Sequence, residues 1–144
     1  MKRTVTALTL AATMFASSAS AFDPADLQKL KDTGHCSKCD LTGANLRDAN
    51  LMGAALGGAN LSGANLESAF LHSASLAFAN LRGANLSGAF LTAADLVSAN
   101  LEGANLEGAG LADANLDAVN LEGANLMFTR MQGAILCNTT MPDG

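Results

Sequence analysis

Residues 99–108 read Ala-Asn-Leu-Glu-Gly-Ala-Asn-Leu-Glu-Gly, and variants of this five-residue unit fill most of the chain. Leucine occupies every fifth position from Leu41 to Leu126, eighteen times in succession. Alanine stands two residues ahead of it at every step from Ala44 to Ala114. On an α-helix a step of five turns each leucine roughly 140° from the last, so no apolar face forms. On a continuous strand an odd step sends successive leucines to opposite sides. The period therefore requires a bend once per repeat. Ala and Leu, two residues apart, then point the same way within each short extended piece, and glycine at the bend relieves the backbone. Bending repeatedly in one direction winds a coil with Ala and Leu inside.

The tandem motif of small residue, Asn or Asp, Leu and two variable positions resembles the pentapeptide-repeat proteins. The resemblance spans about Cys39 to Ile135. It implies an all-β solenoid: a right-handed quadrilateral parallel β-helix of about five coils, with four repeats per coil. At the usual strand spacing such a stack is about 24 Å long. Each inward leucine contributes about 1.5–3 kcal/mol of burial before entropy is subtracted. Near the end the pattern loosens. Val119 and Thr129 replace the inward alanine, Met131 replaces leucine, and Arg130 and Ile135 replace asparagine. Terminal repeats of a solenoid are commonly atypical because they close the stack.

The ends carry different signals. Residues 1–21 have the form of a secretory signal peptide, with basic Lys2 and Arg3, an apolar run from Ala7 to Ala16 and the cleavage motif Ala19-Ser20-Ala21. The apolar run is too short to span a bilayer. The expected location is outside the cytoplasm, most simply a bacterial periplasm, without stable membrane insertion. Residues 22–38 are expected to form a short capping helix and a Cys-x-x-Cys segment. Asp23 would cap the helix, Pro24 would take its first position, and Gly34 would end it. The solenoid is assigned to residues 39–138 and a tail to residues 139–144. Met127, Phe128, Met131, Ile135 and Met141 make the far end apolar. Related proteins often dimerise there, which implies a homodimer through Met127, Phe128, Met131 and Cys137. A self-capping tail is the competing reading.

Cys36 and Cys39 flank Ser37 and Lys38 at the junction of helix and first coil. In an exported protein this spacing points to a structural disulfide. A redox-active module is the alternative, although thioredoxin-like chemistry calls for a βαβ setting that the repeat excludes. Zinc would need a fourth ligand beyond His35, Cys36 and Cys39, and a haem would need histidine where Asp40 stands. No metal or cofactor is therefore expected.

With twenty residues per coil, positions twenty apart stack. Asn45, Asn65, Asn85, Asn105 and Asn125 form one such series, and Asp40, Asn60, Asn80, Asn100 and Asn120 another. These side chains suit turn backbone groups. A third series breaks the rule with Asn50, Phe70, Phe90, Gly110 and Arg130. Phe70 and Phe90, with His72 nearby and Phe78 assigned to the neighbouring fourth side, form a candidate protein-contact surface. Stacking between coils is the structural alternative.

The formal net charge is −5, or −7 without Lys2 and Arg3. Glu102, Glu107, Asp113, Asp117 and Glu122 crowd the C-terminal half. Direct nucleic-acid binding is disfavoured, because phosphate contacts require clustered Lys and Arg. Some cytoplasmic relatives protect DNA gyrase with an acidic, rod-like surface, so an acidic DNA mimic that binds a topoisomerase or another DNA-binding protein is a second reading. No nucleophile, base and orienter set stands out, and the leucine-filled axis leaves no room for a sizeable ligand. The sequence thus points to a non-catalytic scaffold, structural or protein-binding, whose partner it does not identify.

Overall fold

Each five-residue unit bends at its middle. The corner's second residue is held at positive φ, at glycine in Gly43, Gly63 and Gly83 and at non-glycine residues such as Asp48, Ser68 and Phe78. The computed structural model describes residues 22–144; the signal-peptide reading falls on residues 1–21, outside them. Four corners close one turn, so residue i bridges residue i+20 in parallel, from His35↔Ala55 through Asn120↔Thr140. Each side contributes a single bridging residue to each coil.

The repeat at 61–65 shows how a chain without long strands satisfies its backbone. Leu61 N–H donates to Asn80 O in the next coil at 2.7 Å, and Gly63 N–H donates to Arg82 O at 2.9 Å. Asn65 N–H reaches back to Ala44 O at 2.9 Å, while Ala64 N–H closes the corner on Leu61 O at 3.0 Å. The remaining amide, of Ser62, donates to the Asn60 side chain Oδ1 at 3.2 Å. Asparagine is therefore the side chain that satisfies the amide two residues on, which its neighbours leave open. The asparagines also link to one another, as where Asn125 Nδ2 donates to Asn105 Oδ1 at 3.1 Å.

Every leucine from Leu41 to Leu121 is buried, the alanines two residues ahead of them are buried except for the partly covered Ala49, and no polar or charged residue is buried among the described residues. Small alanines let backbones approach at the sides, and leucines meet along the axis. Val119 fits the alanine position and is also buried. Thr129 and Thr139 occupy it in the last turn. Their hydroxyls donate to Leu106 O at 2.9 Å and Leu116 O at 2.7 Å, so the polar substitution is locally satisfied.

The first element is helix α1, Pro24–Thr33. Asp23 accepts from Ala25 N–H at 2.8 Å, Pro24 opens the first turn, and Gly34 at φ 68° ends it. Leu30 is buried against the first coil and Leu27 packs beside it. Asp26 ties the helix down by accepting from Asp40 N–H at 2.8 Å, and Asp23 N–H donates to Asp40 O at 3.0 Å.

Regular pairing extends further than the side-chain pattern. It begins at His35, ahead of the expected start at residue 39. Beyond residue 138 it continues, with Leu121 N–H on Thr140 O at 2.9 Å and Gly123 N–H on Pro142 O at 2.9 Å. Inter-coil bonds use backbone groups, so degenerate repeats still pair. If the axis carries the stability, Leu81→Ala destabilises the chain by about 2–5 kcal/mol in urea unfolding followed by circular dichroism. A loss below about 1 kcal/mol would contradict a close-packed axis.

Candidate functional site

Two surfaces depart from the repeat: one side of the stack and its C-terminal end. On the third side, Phe70 and Phe90 replace asparagine on successive rungs. Their rings stack with centroids 5.1 Å apart and planes 7° from parallel. Both remain exposed, at 39% and 42%. His72 adds a ring 5.8 Å from Phe90, inclined by 30°. Phenylalanine carries no acceptor, so the amides of His72 and Thr92 lack the side-chain bond that Met52 N–H makes to Asn50 Oδ1 at 3.3 Å. The aromatic pair thus replaces a backbone-satisfying device. Stacking of this geometry adds about 0.5–1.5 kcal/mol beyond area burial.

The structure does not bring Phe78 to this pair. It occupies the second residue of a corner, at φ 60° and 70% exposed, beyond the fourth-side residue Ser75 and next to the Asn80 side. The sequence assignment to a face missed this, because a corner residue belongs to neither adjoining side.

At the C-terminal end the axis is open. Leu136 and Met141 are exposed where earlier leucines are buried, and Met131 is only partly covered. Met127, Phe128 and Ile135 surround them as exposed side chains. Cys137 is an exposed free thiol beside this end. Leu136 was not singled out from sequence, although it continues the five-residue leucine series and so marks the uncovered axis.

Cys36 and Cys39 are joined in a disulfide, both buried at the junction of α1 and the first coil. Cys36 Sγ lies 3.1 Å from the Asp26 carbonyl oxygen, and a carboxylate oxygen of Asp26 completes a compact donor group with the two sulfurs. With the sulfurs bonded to each other, this group offers no thiolate to a metal. Burial also shields the bond from an incoming thiolate, which thiol–disulfide exchange requires.

Charge is spread rather than concentrated. Arg47 pairs with Glu67 at 2.7 Å and Arg82 with Glu102 at 3.0 Å, each between adjacent coils. Glu102 and Glu122 share one corner line, whereas Glu107, Asp113 and Asp117 each lie along a different one. The acidic cluster in sequence therefore divides among all four corners. The Asp40 carboxyl is held below its ordinary range by hydrogen bonds from the Thr42 hydroxyl and amide. An open recess of about 300 Å³ beneath α1 is lined by Leu30, Lys31, Leu46, Arg47, Asn50 and Leu51, with no nucleophile beside a general base. Among the described residues no helix is long and apolar enough to cross a membrane.

The pentapeptide repeats family matches in 8 copies over residues 35–67, 74–111 and 104–141. This chain belongs to the pentapeptide-repeat family. Pentapeptide-repeat proteins form right-handed quadrilateral β-helices, and they are generally non-enzymatic structural or interaction scaffolds. Among solved structures, the pentapeptide repeat protein Rfr23 from the cyanobacterium Cyanothece 51142 is 34% identical over 81% of this chain and 97% of its own, with a TM-score of 0.46. HetL from Nostoc sp. strain PCC 7120, involved in heterocyst differentiation regulation, is 36% identical over 76% of this chain and 60% of its own, with a TM-score of 0.40. A pentapeptide repeat protein of the Arabidopsis thaliana thylakoid lumen is 34% identical over 63% and 64% of the two chains, with a TM-score of 0.39. No curated protein shows significant similarity to the chain.

The disulfide closes a short loop, for which chain entropy gives a stabilisation of about 2 kcal/mol. Replacing both cysteines with alanine should therefore lower stability by about that amount in urea unfolding, and reduction of the parent should reproduce the loss. An unchanged midpoint in both experiments would remove the structural role.

Proposed function

We propose that this pentapeptide-repeat protein is an exported, non-catalytic interaction scaffold. The observation that carries the reading is the exposed Phe70–Phe90 stack on a solid core. The repeat offers asparagine for these rungs, and asparagine would bond the backbone. Two phenylalanines instead place apolar rings in water, on a support that holds them in fixed register. Exposed apolar groups arranged together are the usual mark of a contact surface. The filled axis gives no cavity for substrate, and the buried disulfide favours a structural pair over a redox couple.

Export is supported by the leader-like residues 1–21, and a disulfide-bonded pair suits an oxidising compartment such as the periplasm. In this reading α1 caps the N-terminal end, because Leu30 and Leu27 cover the first coil there, and about five coils follow. The division of acidic residues among four corners weighs against a DNA-mimicking surface, which needs charge in one continuous track.

A second contact surface is supported by the open C-terminal axis. Leu136 and Met141 present exposed inward-type side chains beside the partly covered Met131, and a second copy meeting end to end would bury them. Phe128 and Cys137 lie at the rim of that junction.

Capture from a periplasmic extract tests the aromatic face. A protein recovered by the parent and lost with Phe70→Ser/Phe90→Ser is expected; identical recovery from both would retire the face as a contact site. For the open end, sedimentation equilibrium is expected to give a dimer that Met131→Glu/Leu136→Glu converts to a monomer with an unchanged circular dichroism spectrum. A monomeric parent at tens of micromolar, roughly the range of transient association, would defeat the end-to-end reading.

A further inference from the structure

Gly110 interrupts the third-side ladder between Phe90 and Arg130. Nothing in its own geometry calls for glycine. Its φ lies outside the left-handed region, and a Cβ built there would meet no atom within 4 Å. Glycine within an extended segment costs about 0.5–1 kcal/mol relative to alanine. It often marks a place where another molecule approaches the backbone. Here it removes one rung of side chain from a continuous stack.

The walls of the resulting gap are chemically specific. Phe70 covers one face of the Phe90 ring, and His72 approaches from that same coil. Towards Gly110 no aromatic group among the described residues covers the other face. Arg130 follows on the far side, exposed and without an ion pair among the described residues. Two rungs at ordinary strand spacing separate Phe90 from Arg130 by about 9.6 Å. A planar ring placed midway would lie about 4.8 Å from Phe90, within the range of aromatic stacking. The guanidinium could cover its other face within the roughly 6 Å reach of a cation–π contact.

We infer that Gly110 opens a one-rung slot that receives a single aromatic side chain from a polypeptide partner, stacked on Phe90 and covered by Arg130. The inference rests on the scaffold reading for the kind of partner, and on the ladder geometry alone for the slot. Recognition must come from ring faces, since the backbone of Gly110 is already engaged: its N–H donates to Ala89 O at 2.9 Å and its carbonyl accepts from Leu91 N–H at 2.7 Å. The slot is open along its outer edge. A free small ligand would keep much of its surface in water there, whereas small-molecule sites bury most of their ligand. A ring carried on a partner surface would be shielded by neighbouring contacts, for which exposed Phe70 and Met127 are available.

The test is titration of the isotopically labelled full-length chain with N-acetyl-tryptophanamide, followed at the amide of Gly110 by NMR. Saturable shifts centred on Gly110, Phe90 and Arg130 are expected, with no saturable response to N-acetyl-leucinamide. Gly110→Phe fills the slot with its own ring and should abolish the response while keeping or raising the melting temperature. Gly110→Asn, which restores the repeat residue, serves the same purpose should the larger side chain fail to fold. Arg130→Gln should weaken the probe about three- to fivefold, the strength of an exposed cation–π contact. Absence of saturable shifts at Gly110, an equal response to the leucine probe, or undiminished binding by the filled variants would overturn the slot. Tighter binding of free indole than of the backbone-bearing probe would assign it to a small aromatic ligand and overturn the polypeptide assignment. Because the readout is the Gly110 amide of purified protein, its outcome is independent of whether periplasmic capture succeeds.

Discussion

Every backbone amide in a chain that turns a corner each five residues must find its acceptor outside an ordinary strand ladder. The solution is vertical. In the repeat at 61–65, one amide closes the corner, three bond to adjacent coils, and one is taken by the asparagine side chain two residues earlier. An unmet buried amide would cost about 1–3 kcal/mol, so this arrangement constrains the whole molecule. Stacking at that spacing brings the sides close enough to favour alanine, and leaves an axis that leucine fills. Small size at one inward position, length at the other and an acceptor between them therefore follow from a single requirement.

The functional candidates lie where that requirement is relaxed. Phe70 and Phe90 give up the corner acceptor and gain a stacked aromatic surface. Gly110 gives up a side chain altogether on the next rung. The backbone bonds between coils persist through all three substitutions, because they use no side-chain atom. A solenoid can vary one side of its surface in this way without disturbing its interior. The C-terminal end differs in kind: there the inward-type side chains of Leu136 and Met141 are themselves exposed.

Much of this was legible in the sequence because the period separates inward from outward positions so cleanly. Leu41 to Leu121 are buried as the spacing requires, as are their alanine partners apart from the partly covered Ala49, and the bounds of α1 follow from Asp23, Pro24 and Gly34. What escaped depends on backbone conformation more than residue type. Phe78 looked like part of a face, but it is a left-handed corner residue, a conformation usually left to glycine or asparagine. Coil-to-coil bonding holds it there despite its bulk. Pairing also runs from His35 to Thr140, past the point where the motif fades, for the same reason. Gly110 already departed from the repeat in the third-side series; what the structure adds is that its φ is not left-handed and that a Cβ there would meet no atom within 4 Å.

The pairing of i with i+20 also gives the molecule an address system. Gain or loss of one five-residue unit would leave a foldable coil, yet rotate everything downstream by one side. Between Phe90 and Gly110, such a change would take Gly110 off the Phe90 rung and carry Arg130 onto a different wall. Insertions and deletions in whole coils preserve alignment, while those in single repeats scramble it. Evolution of such a chain can thus change length freely for folding, but only in steps of a full turn if a surface spanning several rungs is to survive.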